Sequence, residues 1–308
     1  MRYKRLTELI SVSLFFIISQ KEIIMLRIAV QSKGRLYEET MNMLSEADIK
    51  VNASKRKLLI QSPNFPVEIL FLRDDDIPES VSSGIADIGI VGENEYAEKN
   101  KKANIVKRLG FSKCRLSIAI PNNIDYTASS WLSDKKIATS YPRILQEFLD
   151  KEGVENCEIH VITGSVEVSP SIGLADGIFD IVSSGSTLVT NRLKEVAVVM
   201  QSEALLISSP SLNEDKQAIL DELLFRIDSV RNAQGKKYVM MNLPKNKIDK
   251  MVTALPGIKS PTILPLADSE WCSVHAVIGE DSFWQIITVL KEIGAEDILI
   301  LPIEVMIP

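Results

Sequence analysis

The 308-residue sequence predicts an α/β protein of two lobes facing a cleft, followed by a small ferredoxin-like domain. Three observations lead there. From Leu26 onward, short apolar runs alternate with segments of helical period, the pattern of strands joined by helical crossovers. The stretch after about residue 226 changes to the order β-α-β-β-α-β, a split βαβ arrangement of the right length for one small domain. The whole chain is also longer than a single hydrophobic core usually supports, so about two or three domains are expected.

The elements follow in order. LRIAVQ (26–31) reads as a strand, and Leu36, Thr40, Met43, Leu44 and Ala47 recur at helical spacing after it. VEILFL (67–72) is a strand, a short helix starts at Pro78, and DIGIV (87–91) is a strand again. Strands in such an alternation are expected to be largely parallel. RLSIAI (115–120) closes the first block in this reading. KIAT, a helix from Pro142 to about Lys151, EIHVI (158–162) and FDIV (179–182) form the second. VAVVM (196–200) and EALLIS (203–208) are read as returning the chain to the first block, which leaves a cleft of the kind that holds ligands. The expected organisation is an extension over 1–25, lobe I over 26–120 completed by about 200–225, lobe II over 121–199, and the appended domain over 226–308.

Composition narrows the function classes. Apolar residues at 45% and charged residues at 25% are ordinary for a globular protein, and no biased stretch points to disorder. A net charge of −6 argues against a surface that neutralises nucleic acid, while leaving room for a local basic pocket. Cys114, Cys157 and Cys272 are widely spaced with no C-x-x-C pair, which fits a reducing cytoplasm and gives neither a disulfide framework nor a zinc site. His160 and His275 lie in apolar alternating runs and read as structural. The amino-terminal stretch has an apolar run from Leu9 to Ser19 that is too short to span a membrane and leads into Gln20, Lys21 and Glu22 instead of a cleavage site. It is read as an upstream extension, with no membrane association expected.

The stretch DIVSSGSTL (180–188) carries the strongest chemical signal. It follows a strand and precedes the helical segment TLVTNRLK, where backbone N–H groups and a helix start point at an anion. Ser183, Ser184, Ser186 and Thr187 supply hydroxyls, Gly185 admits positive φ, and Asp180 at the strand end is placed to accept from sugar hydroxyls. An ordinary strand–turn–helix with a Ser or Thr cap fits these residues equally well. Other candidates stand at strand ends. Glu93 ends one strand, Arg115 opens another beside Cys114, and Ser140 precedes a helix with Pro142 in its first turn, serving either as cap or in anion binding. Asp74, Asp75 and Asp76 suggest a metal by number, but Asp76 two residues before Pro78 is better read as a helix start.

A wider frame adds to this. Glu167 is followed by Gly173, Ala175, Ile178, Asp180, Ser184, Gly185, Thr187 and Leu188, so that EVSPSIGLADGIFDIVSSGSTL resembles the signature of the ATP phosphoribosyltransferases at every position. LRIAVQSKGRL, RDDDIP, GIADIGIVGEN, KCRLSIAIP, KIATSYPRIL, PTILPL and ILPIE stand in the expected order. The resemblance runs from about Leu26 to Glu304 and includes the extra domain that marks the long form. It implies two periplasmic-binding-protein-like lobes and an ACT-like terminal domain. It also implies transfer of phosphoribosyl from phosphoribosyl pyrophosphate to adenine nitrogen 1 of ATP, releasing pyrophosphate with Mg²⁺ present, as the committed step of histidine biosynthesis. Histidine is implied as inhibitor through the small domain, in dimers that build hexamers.

By that resemblance Asp180 holds the ribose hydroxyls, Ser183, Ser184, Gly185, Ser186 and Thr187 receive the 5-phosphate, and Glu167 borders the sugar. Lys33 and Arg35, after the first strand, are candidates for pyrophosphate or triphosphate, and Arg73 for ATP. Mg²⁺ is expected to be held mainly by substrate phosphates and water. Phe179 stands where purine- and pyrimidine-salvage phosphoribosyltransferases usually carry a second acid, which points away from that group. The competing reading is a non-catalytic two-lobed solute-binding protein. The lack of a cleavage site, the full frame around Asp180 and the third domain count against it.

Overall fold

The computed structural model describes residues 24–52, 57–254, 261–281 and 283–307. The expected amino-terminal extension lies outside them except for Ile24 and Met25. The chain enters through β1 (Leu26–Gln31), α1 (Arg35–Glu46), β2 (Leu59–Gln61), β3 (Val67–Leu72), α2 (Ile77–Ser82), β4 (Ile88–Gly92), α3 (Glu93–Lys99) and β5 (Asn104–Arg108). It continues through β6 (Cys114–Pro121), β7 (Lys136–Thr139), α4 (Pro142–Glu152), β8 (Glu158–Val161), β9 (Gly177–Val182), α5 (Ser186–Thr190), β10 (Leu193–Ser202) and β11 (Ala204–Ser208).

Two sheets form the two lobes, with orders β2-β3-β1-β4-β11-β5 and β10-β6-β9-β7-β8. The chain crosses from the first sheet to the second between β5 and β6 and back between β10 and β11, so the lobes are periplasmic-binding-protein-like. Here the structure corrects the expected assignment of two strands. β6 belongs to the second sheet, paired antiparallel with β9 and β10, and β10 stays there with it; only β11 returns to the first. An apolar alternating run fits either sheet equally, and the pairing partner decides.

The sheets are also mixed instead of largely parallel. β1 pairs in parallel with β3 and β4, and β7 with β8 and β9, whereas β2, β5, β6, β10 and β11 pair antiparallel. The strands next to each crossing must run back across the sheet, which reverses their direction. β1, β4 and β11 are buried almost throughout. Their continuous apolar sequences follow from being covered on both faces.

The second compact unit takes in Glu46–Asp48 and the chain from Asp221, which lies inside α6 (Glu214–Ala233). It contains β12 (Lys236–Pro244), α7 (Ile248–Ala254), β13 (Thr262–Pro265), β14 (Trp271–Gly279), α8 (Phe283–Ile293) and β15 (Glu296–Pro302). The strand order β13-β14-β12-β15, antiparallel throughout, is ferredoxin-like. Val239, Met241 and Leu243 alternate inward with Val274, Ala276 and Ile278, and pack with Met251, Ile286, Ile287 and Leu290 of the two helices. His275 has a structural setting, with Nδ1 2.6 Å from the Tyr238 hydroxyl and Nε2 3.2 Å from that of Ser273. Among the described residues no helix is long and apolar enough to cross a membrane.

Gly89 lies at the centre of the first lobe, where α2 crosses β4. A Cβ there would stand 2.7 Å from Ile77 Cγ2 and 2.8 Å from Val81 Cγ2, both fully buried. Gly89→Ala should therefore destabilise the protein by about 1–3 kcal/mol through overpacking, read as a lowered denaturant midpoint.

Candidate active site

β9, the central strand of the second sheet, carries Asp180 near its carboxyl end, and the chain then turns through Ser183, Ser184 and Gly185 into α5. Gly185 has φ +81°, a left-handed conformation that strains any residue with a Cβ. As the cap residue it offers α5 no side chain; the Ser184 hydroxyl instead accepts the Ser186 N–H at 3.4 Å and stands 3.0 Å from the Ser186 hydroxyl. A hollow of about 220 Å³ opens here, lined by Glu167, Asp180, Ser183, Ser184, Gly185 and Thr187. Glu167 arrives from a single 3₁₀ turn, Val166–Val168. Ser186 starts α5 directly beside this lining.

The charges around the hollow are arranged from both lobes. Asp180 Oδ1 accepts the Ile181 N–H at 2.8 Å. Burial nevertheless pushes its carboxyl up to about 6, with Glu167 adding to the rise. Arg35, at the start of α1 in the first lobe, donates from Nη1 to Ser183 Oγ at 2.8 Å and from Nη2 to Lys113 O at 3.0 Å. Arg115, on β6, donates from Nη1 to Ser183 O at 3.1 Å. Its remaining edge grips Glu195 of β10 through Nε at 2.6 Å and Nη2 at 2.7 Å. That fork, joined by Ser117 Oγ at 2.6 Å, holds the Glu195 carboxyl below its ordinary range. Two guanidinium groups thus converge on Ser183.

The other predicted residues lie elsewhere. Lys33 is exposed in the loop after β1. Arg73 is exposed and pairs with Asp75 at 3.2 Å, and Lys99 reaches the same carboxylate at 3.8 Å. Asp74 to Asp76 form a 3₁₀ turn leading into α2; Asp76 is the cap residue, without a side-chain bond. Among the described residues no group of three or more His, Cys, Asp or Glu is placed to hold a metal. Glu93 is gripped by Arg108, whose Nη1 lies 2.6 Å from Oε2, in a separate hollow of about 420 Å³ that also includes Lys113 and Glu203. Ser140 neither caps α4 nor faces its first turn: its hydroxyl donates to Ile162 O at 2.8 Å, and Tyr141 is the cap residue. The Cys114 thiol is raised by burial.

A buried polar cluster between the lobes was not foreseen from the sequence. Asn94 and Glu95 on α3 are 5% and 8% exposed, and Asn94 Nδ2 donates to the Tyr141 hydroxyl at 3.1 Å. Ser202, at the crossing from β10 to β11, donates to Asn94 Oδ1 at 2.9 Å. Burial pushes the Glu95 carboxyl up to about 7; a hydrogen bond with Tyr141 opposes the rise and the Asp74 charge adds to it. The available signal was weak: a polar Glu-Asn-Glu run directly after the apolar strand IGIVG.

Comparison with known proteins follows the same division. A family model described as HisG: ATP phosphoribosyltransferase matches residues 73–229, and one described as HisG, C-terminal domain, matches residues 233–305. An ATP phosphoribosyltransferase of Bacteroides thetaiotaomicron is 65% identical over 283 residues, covering 92% of this chain and 100% of that protein. One from Cytophaga hutchinsonii is 52% identical over 279 residues, covering 91% and 97%. Among solved structures, the ATP phosphoribosyl transferase (HisG:HisZ) complex from Thermotoga maritima aligns with TM-score 0.57 at 26% identity, covering 66% of this chain and 99% of that one.

Glu95 sets a pH dependence of stability. Its carboxyl titrates near 4.5 when exposed and near 7 when folded, so the proton favours the folded chain. That contribution is complete below about 4.5 and is lost as pH rises through 7. Denaturant unfolding at pH 5 and pH 8 should show the parent losing up to about 3 kcal/mol more than Glu95→Gln over this range. Equal losses would contradict the assignment.

Proposed function

The chain belongs to the ATP phosphoribosyltransferase family, and on that premise we propose that it joins the phosphoribosyl group of phosphoribosyl pyrophosphate to adenine nitrogen 1 of ATP. The observation that carries the reading is the hollow where Glu167, Asp180 and the Ser183–Thr187 turn meet, the same residues that form the family frame. The protein is thus a pentosyltransferase. A solute receptor without catalysis, the competing reading, does not fit that membership.

The chemistry breaks the bond between the sugar C1 and pyrophosphate and forms one to the adenine nitrogen, through a sugar that gathers positive charge. Nothing in it needs a covalent nucleophile; positioning and electrostatics supply the rate. Asp180, ionised above about 6, accepts from the ribose hydroxyls and stands close to the developing cation. The amides from Gly185 to Thr187, with the hydroxyls of Ser183, Ser184, Ser186 and Thr187, receive the 5-phosphate, which displaces the long Ser186 N–H contact with Ser184. Glu167 borders the sugar on the side of its short turn. Arg35 and Arg115 exchange part of their contact with Ser183 for a polyanion, because substrate phosphates are stronger acceptors than a hydroxyl or carbonyl. Lys33, Arg73, Glu93 and Ser140 remain candidates on the ATP and pyrophosphate side.

Mg²⁺ is assigned to the substrate. Mg²⁺ of this kind is commonly held by phosphate oxygens and water, so it enters with the substrates and no protein ligand is proposed. Residues 226–308 are proposed to bind histidine and lower activity from a distance, in a homo-oligomer assembled from dimers to hexamers. The setting is cytoplasmic, with neither nucleic acid nor membrane as a partner.

The direct assay mixes ATP, phosphoribosyl pyrophosphate and Mg²⁺ with the protein and follows the ultraviolet change of alkylated adenine. Asp180→Asn should lower kcat/KM about 100-fold and Thr187→Ala about tenfold, each with an unchanged fold. For the parent, kcat/KM should climb between pH 5 and 7 as Asp180 ionises, and in Asp180→Asn that climb should flatten. Parental kinetics in both variants would remove the cradle. Histidine should inhibit the full chain and not a variant truncated after about residue 230; persistent inhibition would move the effector site elsewhere.

A further inference from the structure

Helices α3 and α4 lie in different lobes, and each closes the other's open end. α4 begins with Pro142, which has no N–H, and its cap residue Tyr141 makes no side-chain bond to the amides that follow. Glu98, in the last turn of α3, takes that place. The Arg143 N–H donates to its Oε1 and the Ile144 N–H to its Oε2, each at 3.0 Å. In return Arg143 donates to the last carbonyls of α3, from Nε to Glu98 O at 3.0 Å and from Nη2 to Ala97 O. A carboxylate at one helix start and a guanidinium at the other helix end both match the helix dipoles. The Asn94–Tyr141 bond lies beside this exchange and is tied through Ser202 to the crossing between the lobes. Gly92 leaves room for it, since a Cβ there would collide with Asn94 Oδ1.

We propose that the Glu98–Arg143 exchange holds the two lobes at the angle the transfer requires, which makes both of them positioning residues for the reaction. The proposal rests on the reading above, in which lobe II holds the phosphoribosyl group and residues of lobe I reach ATP. The reacting atoms then belong to substrates held by different lobes, and their separation follows the angle between those lobes. A misplacement of about 1 Å costs on the order of 100-fold in rate. The bonds run from side chain to backbone across the lobes; Arg143 also pairs with Glu147 within α4, so Glu98→Ala removes the acceptor of the α4 amides and leaves that pair in place. Neither residue lines the hollow around Asp180.

The test separates binding from turnover. Glu98→Ala and Arg143→Ala in the full chain should each lower kcat at least about tenfold, while calorimetric affinity for phosphoribosyl pyrophosphate alone stays within about twofold. Glu98→Gln keeps one acceptor and should recover part of the loss; should Glu98→Ala not fold, the same split is read in Glu98→Gln. The double variant should be no worse than the worse single one, since both break one exchange. Parental kcat in Glu98→Ala, or a fall in kcat matched by an equal fall in phosphoribosyl pyrophosphate affinity, would overturn the proposal. Failure of the underlying site reading looks different: Asp180→Asn would then bind phosphoribosyl pyrophosphate as tightly as the parent, whatever Glu98 does.

Discussion

The pairing of β9 with β6 on one edge and β7 on the other sets the height at which the chain leaves the second sheet. Its register runs from Val182 opposite Arg115 to Phe179 opposite Thr139, so its last residues emerge beside Arg115 on one side and Tyr141 on the other. Asp180 is held between a buried strand and an open hollow, and this half-buried position raises its pKa. Gly185 then permits the reversal into α5 and leaves the helix start without a side-chain cap. Arg115, Glu195 and Ser117 follow from the same pairing, because β6 lies between β9 and β10 and aligns all three along its length.

Electrostatics around that turn reconcile an acidic protein with polyanionic substrates. The net charge of −6 keeps the surface at large unattractive to phosphate, whereas Arg35 and Arg115 concentrate positive charge at Ser183. Arg115 is partly neutralised by Glu195, which fixes its orientation and leaves one face toward the turn. Arg35 is steadied by a backbone carbonyl, Lys113 O, and by a longer pairing with Glu39 at 3.9 Å. Both lobes thereby bring a guanidinium group to one turn, and under the proposed function the relative placement of the lobes becomes part of the chemistry. The α3–α4 exchange acts on that placement from outside the site.

Much of this was legible in the sequence, and the losses have physical causes. The residues after β9 fit a plain strand–turn–helix equally well by themselves; the resemblance of the run from Glu167 to Leu188 to the family signature singled them out, and Glu167, Asp180 and the turn line one hollow. The β-α-β-β-α-β order of the final segment was readable from its periods alone. Strand membership was harder: RLSIAI and VAVVM are equally apolar in either sheet, and only partner pairing placed β6 and β10 in the second. Ser140 could be read as the cap of α4 or as an anion contact; Glu98, 45 residues before Arg143 in the chain, accepts the first amides of α4 instead. Glu95 carried no motif and Tyr141, inside KIATSYPRIL, was not singled out, since their burial against another lobe is not written in local sequence.

A structure with phosphoribosyl pyrophosphate bound tests the central claim most directly. The account predicts the 5-phosphate within hydrogen-bond distance of the backbone N–H groups from Gly185 to Thr187, with the ribose hydroxyls on Asp180. A 5-phosphate seated away from this turn, for instance between Arg108 and Lys113 in the second hollow, would contradict it.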